Sequence, residues 1–87
     1  MSIEKEIDSL IQNTGGKYRD WYVGLALNPR HELFTVHHVN EKSGTWVFKD
    51  AGNEMSAREI EAIFLKRGCK GGPARKDSSR HVYVYKI

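Results

Sequence analysis

A carboxylate on the apolar side of a helix is costly, and residues 56–67 place one there. On a helical wheel Ala57, Ile60, Ile63 and Phe64 define the apolar face and Leu65 extends it. Glu61 projects between Ala57 and Leu65, whereas Glu59 and Lys66 point away. Burying a carboxylate costs several kcal/mol unless a metal or a donor meets it. Glu61 therefore reads as a divalent-metal ligand or a general base at the edge of a cleft. The same pattern also fits a rim glutamate paired with a nearby Lys or Arg. Tyr22 stands two residues before Gly24 in a strand-like run. An interior strand glycine marks a bulge or a close approach, so Tyr22 either faces a ligand there or packs as a core tyrosine.

His31, His37 and His38 invite a metal reading. Adjacent histidines point in different directions on a helix or a strand, so His37 and His38 do not readily chelate one ion. With a single cysteine and no clear acidic partner, no structural zinc site is expected. An inward His37 that hydrogen-bonds or holds a proton suits the pattern better. The stretch from Gly68 to Lys76 offers free amides and the cations Lys70, Arg75 and Lys76 to phosphate. It lacks the Gly-Lys-Ser/Thr ending of a P-loop and follows a helix, so it fits a flexible turn equally well. Cys69 beside Lys70 suggests a lowered pKa, but no nucleophile motif surrounds it.

Short elements must position these groups. Ser2 caps a first helix with Ile3, Ile7, Leu10 and Ile11 on one side, and Asn13-Thr14-Gly15-Gly16 stops it. Tyr18 to Leu27 reads as a strand. Asn28-Pro29 starts a helix that would turn Leu33, Phe34 and His37 inward, yet Thr35, Val36 and Val39 favour a strand there. Thr45 to Phe48 is a short strand, and Ser56 with Glu59 forms a capping box for a helix ending at Gly68. His81 to Tyr85 alternates as a last strand. No strand–helix–strand unit has the length of a parallel crossover. The expected fold is α+β: a small antiparallel sheet of about three strands flanked by about three helices, in one domain over residues 1–87.

Charge adds a direction. The chain of 87 residues carries a formal net charge of +3. Residues 1–65 hold seven Lys/Arg against ten Asp/Glu, whereas residues 66–87 hold seven Lys/Arg against Asp77 alone. A basic end on an acidic body suits an anionic partner, nucleic acid first, or simply a solvated surface. Lys66, Arg67, Lys70, Arg75, Lys76 and Arg80 are the candidate phosphate contacts. An apolar content of 39% excludes a disordered chain. No apolar run reaches the roughly 18 residues of a membrane span, and no secretory leader precedes the first helix. One cysteine fits a reducing compartment, so a cytoplasmic domain is expected.

Together, Tyr22-Val23-Gly24, Asn28-Pro29 leading to Leu33 and His37, and Ala57 with Glu61 resemble the GIY-YIG nuclease family over roughly residues 18–67. The resemblance implies an α+β domain that cuts DNA phosphodiesters with Mg2+ or Mn2+, with Tyr22 as the tyrosine of the second triplet and Glu61 as the metal ligand. The sequence departs from that pattern in three places. Gly16-Lys17-Tyr18 is too near Tyr22 to be the first triplet, so Val82 to Ile87 is expected to complete the sheet, with Tyr83 or Tyr85 in the missing tyrosine's place. The family's arginine falls on Glu32, which would repel a phosphate, leaving Arg30 or Arg58 as substitutes. Gly68 to Pro73 replaces the closing asparagine and proline.

The leading expectation is a small DNA-binding domain of nuclease ancestry, weakly active or inactive, with stacking from Trp21, Tyr22 and Trp46 if they are exposed and core packing if they are not. The second is an active endonuclease with Tyr22, Arg30, His37 and Glu61 as its catalytic set. The third is a protein-interaction adaptor using a sheet edge, with the first helix as a seam of a homodimer or as a cover for the sheet.

Overall fold

The computed structural model describes residues 2–72 and 79–87. Helix α1 (Ile3–Asn13) is capped by Ser2, whose Oγ accepts from the Lys5 amide at 3.2 Å. Its apolar residues Ile7 and Ile11 are fully buried. The chain then makes a 3-10 turn (Tyr18–Asp20) before β1 (Trp21–Ala26). The strand expected from Tyr18 to Leu27 is therefore shorter at both ends. The Tyr18 hydroxyl donates to Asp8 and accepts from Gln12 Nε2, which draws that residue onto α1, and Leu27 stands 59% exposed.

The ambiguous segment is helical. Asn28 Oδ1 accepts from the His31 amide at 3.2 Å and starts α2 (Pro29–His31), which runs on as a π-helical turn (Glu32–Val36). The start signal outweighs the β-branched Thr35 and Val36. Strand β2 (Trp46–Asp50) follows, then α3 (Glu54–Arg67). The expected capping box at Ser56 is corrected: Asn53 is the cap, its Oδ1 accepting from the Ser56 amide at 2.8 Å. Gly68 ends α3 at φ +122°, a backbone conformation that suits glycine.

Strand β3 (His81–Lys86) closes the chain and lies in the middle of the sheet, in the order β1-β3-β2, antiparallel to both neighbours. Tyr22 and Trp46 flank Tyr85, and Gly24 and Phe48 flank Tyr83. The expected pairing of the last strand with the Trp21–Leu25 strand is thus present. Past α3, the chain is laid parallel along the outer edge of β1: the Lys70 amide donates to Trp21 O and the Val23 amide to Lys70 O, both at 2.8 Å.

Strand alternation sorts the side chains into two layers. Trp21, Val23, Val82 and Val84 meet Ile7 and Ile11 of α1 and Ala57 and Phe64 of α3. On the other face Tyr83, Ala26 and Leu33 are buried among Tyr22, Tyr85, Phe34, Trp46 and Phe48. Trp21 is fully buried, so it packs the core and is not available for stacking. Ile63 and Leu65, expected on the apolar face of α3, are 37% and 40% exposed. The apolar side of α1 covers the sheet within the chain. Arg67 ties α1 to α3 by pairing with Glu4 and Asp8 while its guanidinium lies over Phe64, 5.2 Å from the ring centre. Among the described residues, no helix is long and apolar enough to cross a membrane.

Phe64 joins α3 to the sheet at 0% exposure. Phe64→Ala should cost about 3–5 kcal/mol, read as a lower urea midpoint with an unchanged slope. Leu27→Ala, at an exposed site, should leave the midpoint within about 0.5 kcal/mol of wild type.

Candidate functional site

The aromatic face of the sheet is built around His37. The π-helical turn ends there, and the Val39 amide donates back to Leu33 O at 2.9 Å while His38 takes φ +57°. That closure turns the His37 ring onto the sheet. Its centroid lies 4.7 Å from that of Tyr22, 5.7 Å from Tyr83 and 5.1 Å from Tyr85. Both ring nitrogens are engaged by phenols: Nε2 with Tyr83 Oη and Nδ1 with Tyr85 Oη, each at 3.0 Å. Neutral imidazole has one donor and one acceptor. In either tautomer, therefore, one tyrosine donates to His37 and the other accepts from it.

Gly24 makes this packing possible. A Cβ at that position would lie 2.5 Å from Tyr83 Cζ and Oη, so the phenol rests where a side chain would otherwise stand. The Tyr22 and Tyr85 rings stack at 5.2 Å and 20°. Tyr83 is buried; Tyr22, Tyr85 and His37 are half-buried and reach the surface. Burial raises the Tyr85 pKa above its ordinary value, with the neighbouring Tyr22 adding to the rise, so the phenol keeps its proton near neutrality. Lys70 bridges to Tyr22 across the parallel edge, which puts its exposed side chain on the same face one strand outward.

The expected site residues fall into two groups. Tyr22 and His37 meet in this cluster, and the expectation that Tyr83 or Tyr85 joins Tyr22 is met by both. Arg30 lies at its margin, 5.4 Å over the Phe48 ring and 3.4 Å from Glu41. Glu32 is buried at 6% exposure, so this carboxylate is not presented to solvent. Glu61 stands apart, half-buried on α3, the helix packed on the opposite face of the sheet. Desolvation raises its carboxyl pKa, and the nearby Arg58 offsets part of the rise.

The basic set divides as well. Arg67 is held by Glu4 and Asp8, and Arg80 pairs with Asp50 at 3.2 Å. Lys66 and Lys70 are exposed without an ion pair among the described residues. Arg75 and Lys76 lie outside the described residues. Among the described residues no three His, Cys, Asp or Glu side chains gather around a common point, and His31 and His38 are exposed. The suggested lowering of the Cys69 pKa is corrected: burial pushes the thiol up to about 11 despite the nearby Arg67.

Sequence reasoning placed Tyr83 or Tyr85 beside Tyr22 but missed that both bond to His37, because they lie 46 and 48 residues from it in the chain. The available signal was their period-two spacing, which puts both on one side of a strand. It also missed Phe34 and Phe48 as the packing around Trp46. Comparisons with known protein families, with curated proteins and with solved structures find no match.

The Glu61 carboxyl is desolvated without full compensation, so Glu61→Gln should be at least as stable as wild type at pH 7. A raised folded pKa favours the protonated form, so wild-type stability falls as pH rises through it, and the glutamine variant escapes that loss. Urea unfolding at pH 7 and pH 4 should show the difference only at pH 7. A less stable glutamine variant at pH 7 would mean that the carboxylate has a favourable partner. Cys69 should react with a thiol reagent at pH 8 only as fast as the protein opens, as measured by the urea dependence of labelling.

Proposed function

We propose that this domain binds nucleic acid through its aromatic face, and that it is a divergent relative of the GIY-YIG nucleases. The observation carrying the proposal is the Tyr22–His37–Tyr83–Tyr85 cluster with Lys70 beside it. A phosphate at the mouth of the cluster would meet phenol donors from Tyr22 and Tyr85 and the ammonium of Lys70. Lys66 adds positive charge nearby along the chain, and Arg75 and Lys76 add more in sequence. The resemblance in sequence puts tyrosines from two paired strands together, and the register Tyr22↔Tyr85 supports that reading.

A second reading, metal-assisted phosphodiester cleavage, is favoured by the two hydrogen bonds of His37. A phenol that hands its proton to an imidazole is a better acceptor for the proton of an attacking water. Tyr85, half-exposed and bonded to Nδ1, stays protonated at rest and would pass its proton to His37 only as it takes one from the water, which Tyr22 stacked on it would orient. Glu61, expected as the metal ligand, stands on the helix that covers the opposite face of the sheet, so it is not placed to hold an ion against a phosphate bound at this cluster. An ion carried in on the substrate phosphates would neutralise their charge.

Fluorescence anisotropy with labelled DNA across a salt series tests binding. Affinity should fall with salt at a slope reflecting about four neutralised phosphates, and Lys70→Ala should lower that slope by about 0.7–0.9. Tyr85→Phe should weaken binding with the salt slope unchanged, since it removes a hydroxyl and no charge. No binding at low salt would overturn the reading and leave partner capture through a sheet edge as the alternative. Cleavage of plasmid DNA with Mg2+ or Mn2+ tests the second reading; activity that survives His37→Ala would sink it.

A further inference from the structure

The aromatic face continues past the tyrosine cluster to the outer strand. Lys70, Tyr22, Tyr85 and Trp46 form one cross-strand row, each paired in register with the next. Three inter-strand spacings make that row about 14 Å long. A cation stands at one end, the phenols in the middle and an indole at the other end. Trp46 is half-buried, and its orientation is fixed from several sides. Its Nε1 donates to Glu41 O at 3.1 Å, Phe34 meets its ring edge-on at 4.9 Å and 80°, and Phe48 lies parallel at 6.0 Å and 6°. Arg30 completes this end above Phe48. Its ion pair with Glu41 is 3.4 Å long between side chains 60% and 57% exposed, a pairing too weak to withhold the guanidinium from a ligand.

We propose that this row is a binding track for single-stranded nucleic acid, in which an unpaired base stacks on Trp46 while phosphates lie at Lys70 and the phenols. The inference rests on the nucleic-acid reading above and adds the substrate class. Aromatic side chains on the open face of an antiparallel sheet are a recurrent platform for unpaired bases, because every base has a π-face to offer. In a duplex those faces are already stacked on neighbouring bases, and a fixed indole finds no partner. Arg30, planar and above the next ring, serves either the flanking base or its phosphate. The ring is already held in place, so little rotamer freedom is lost when a base lands on it.

The test compares a fluorescein-labelled oligothymidylate with a duplex of the same length, by anisotropy and by tryptophan emission. Trp21 is fully buried, so a contact change in emission reports on Trp46. The single strand should bind about tenfold more tightly than the duplex and quench the emission with the same midpoint. Trp46→Ala should lower single-strand affinity about tenfold and leave duplex affinity unchanged, while Trp46→Phe retains most of it. If Trp46→Ala does not fold, the wild-type quench and Trp46→Phe still decide. Duplex binding as tight as single-strand binding, or single-strand binding without a change in emission, would overturn this inference and leave the broader one standing. Failure of both probes to bind at low salt would overturn the two together.

Discussion

The insertion of β3 between β1 and β2 is the constraint on which the rest of this structure depends. A three-stranded sheet has one central strand, and here it is the last to be made. Every backbone group of that strand has a neighbour on one side or the other, so its register sets both interfaces at once. Tyr83 and Tyr85 then face one side and Val82 and Val84 the other. A slip of one residue would exchange the two sets, bringing the tyrosines against α1 and α3 and exposing the valines.

The two faces carry different physics. Between the sheet and helices α1 and α3, contacts are apolar and dense, with Ile7, Ile11, Trp21, Val23, Phe64, Val82 and Val84 fully buried. That layer holds the domain together by burial of apolar surface, and its few polar groups, such as those of Asp8 and Arg67, sit at its margin. The opposite face is aromatic and only partly covered by the short helical turn over residues 29–36. Half-buried phenols and an imidazole offer both a ring to pack and a polar group to bond. Stability can therefore reside on one face, leaving the other free to meet a ligand.

His37 links the two demands. It ends a turn whose geometry is set locally by the Asn28 cap and by the closure from Val39 to Leu33. Its hydrogen-bond partners, however, come from the last strand of the chain. The imidazole thus fastens α2 to β3 and at the same time polarises two hydroxyls. Gly24 is the concession that admits this arrangement, since any side chain there would displace Tyr83.

Local chemistry made much of this legible. Ser2 as a cap, Asn28-Pro29 as a helix start, Gly68 as a helix stop and the alternation of His81 to Tyr85 all act over a few residues, and each is found where the sequence places it. The three-stranded antiparallel α+β arrangement follows from those elements and from their short connections. The local pattern pointed to Ser56 as the cap of α3, yet the cap is Asn53, because its side chain is the one that reaches a free amide of the first turn, that of Ser56. Glu61 was visible as an odd carboxylate because its helical phase can be computed from sequence; its separation from the tyrosines could not be, because it depends on which face of the sheet α3 covers. In the same way Trp21 and Trp46 have similar strand contexts, yet one is sealed in the core and the other reaches the surface. Sequence determines which residues share a side of an element; only the tertiary fold decides which side meets the core, because that choice is made by distant partners packing against it.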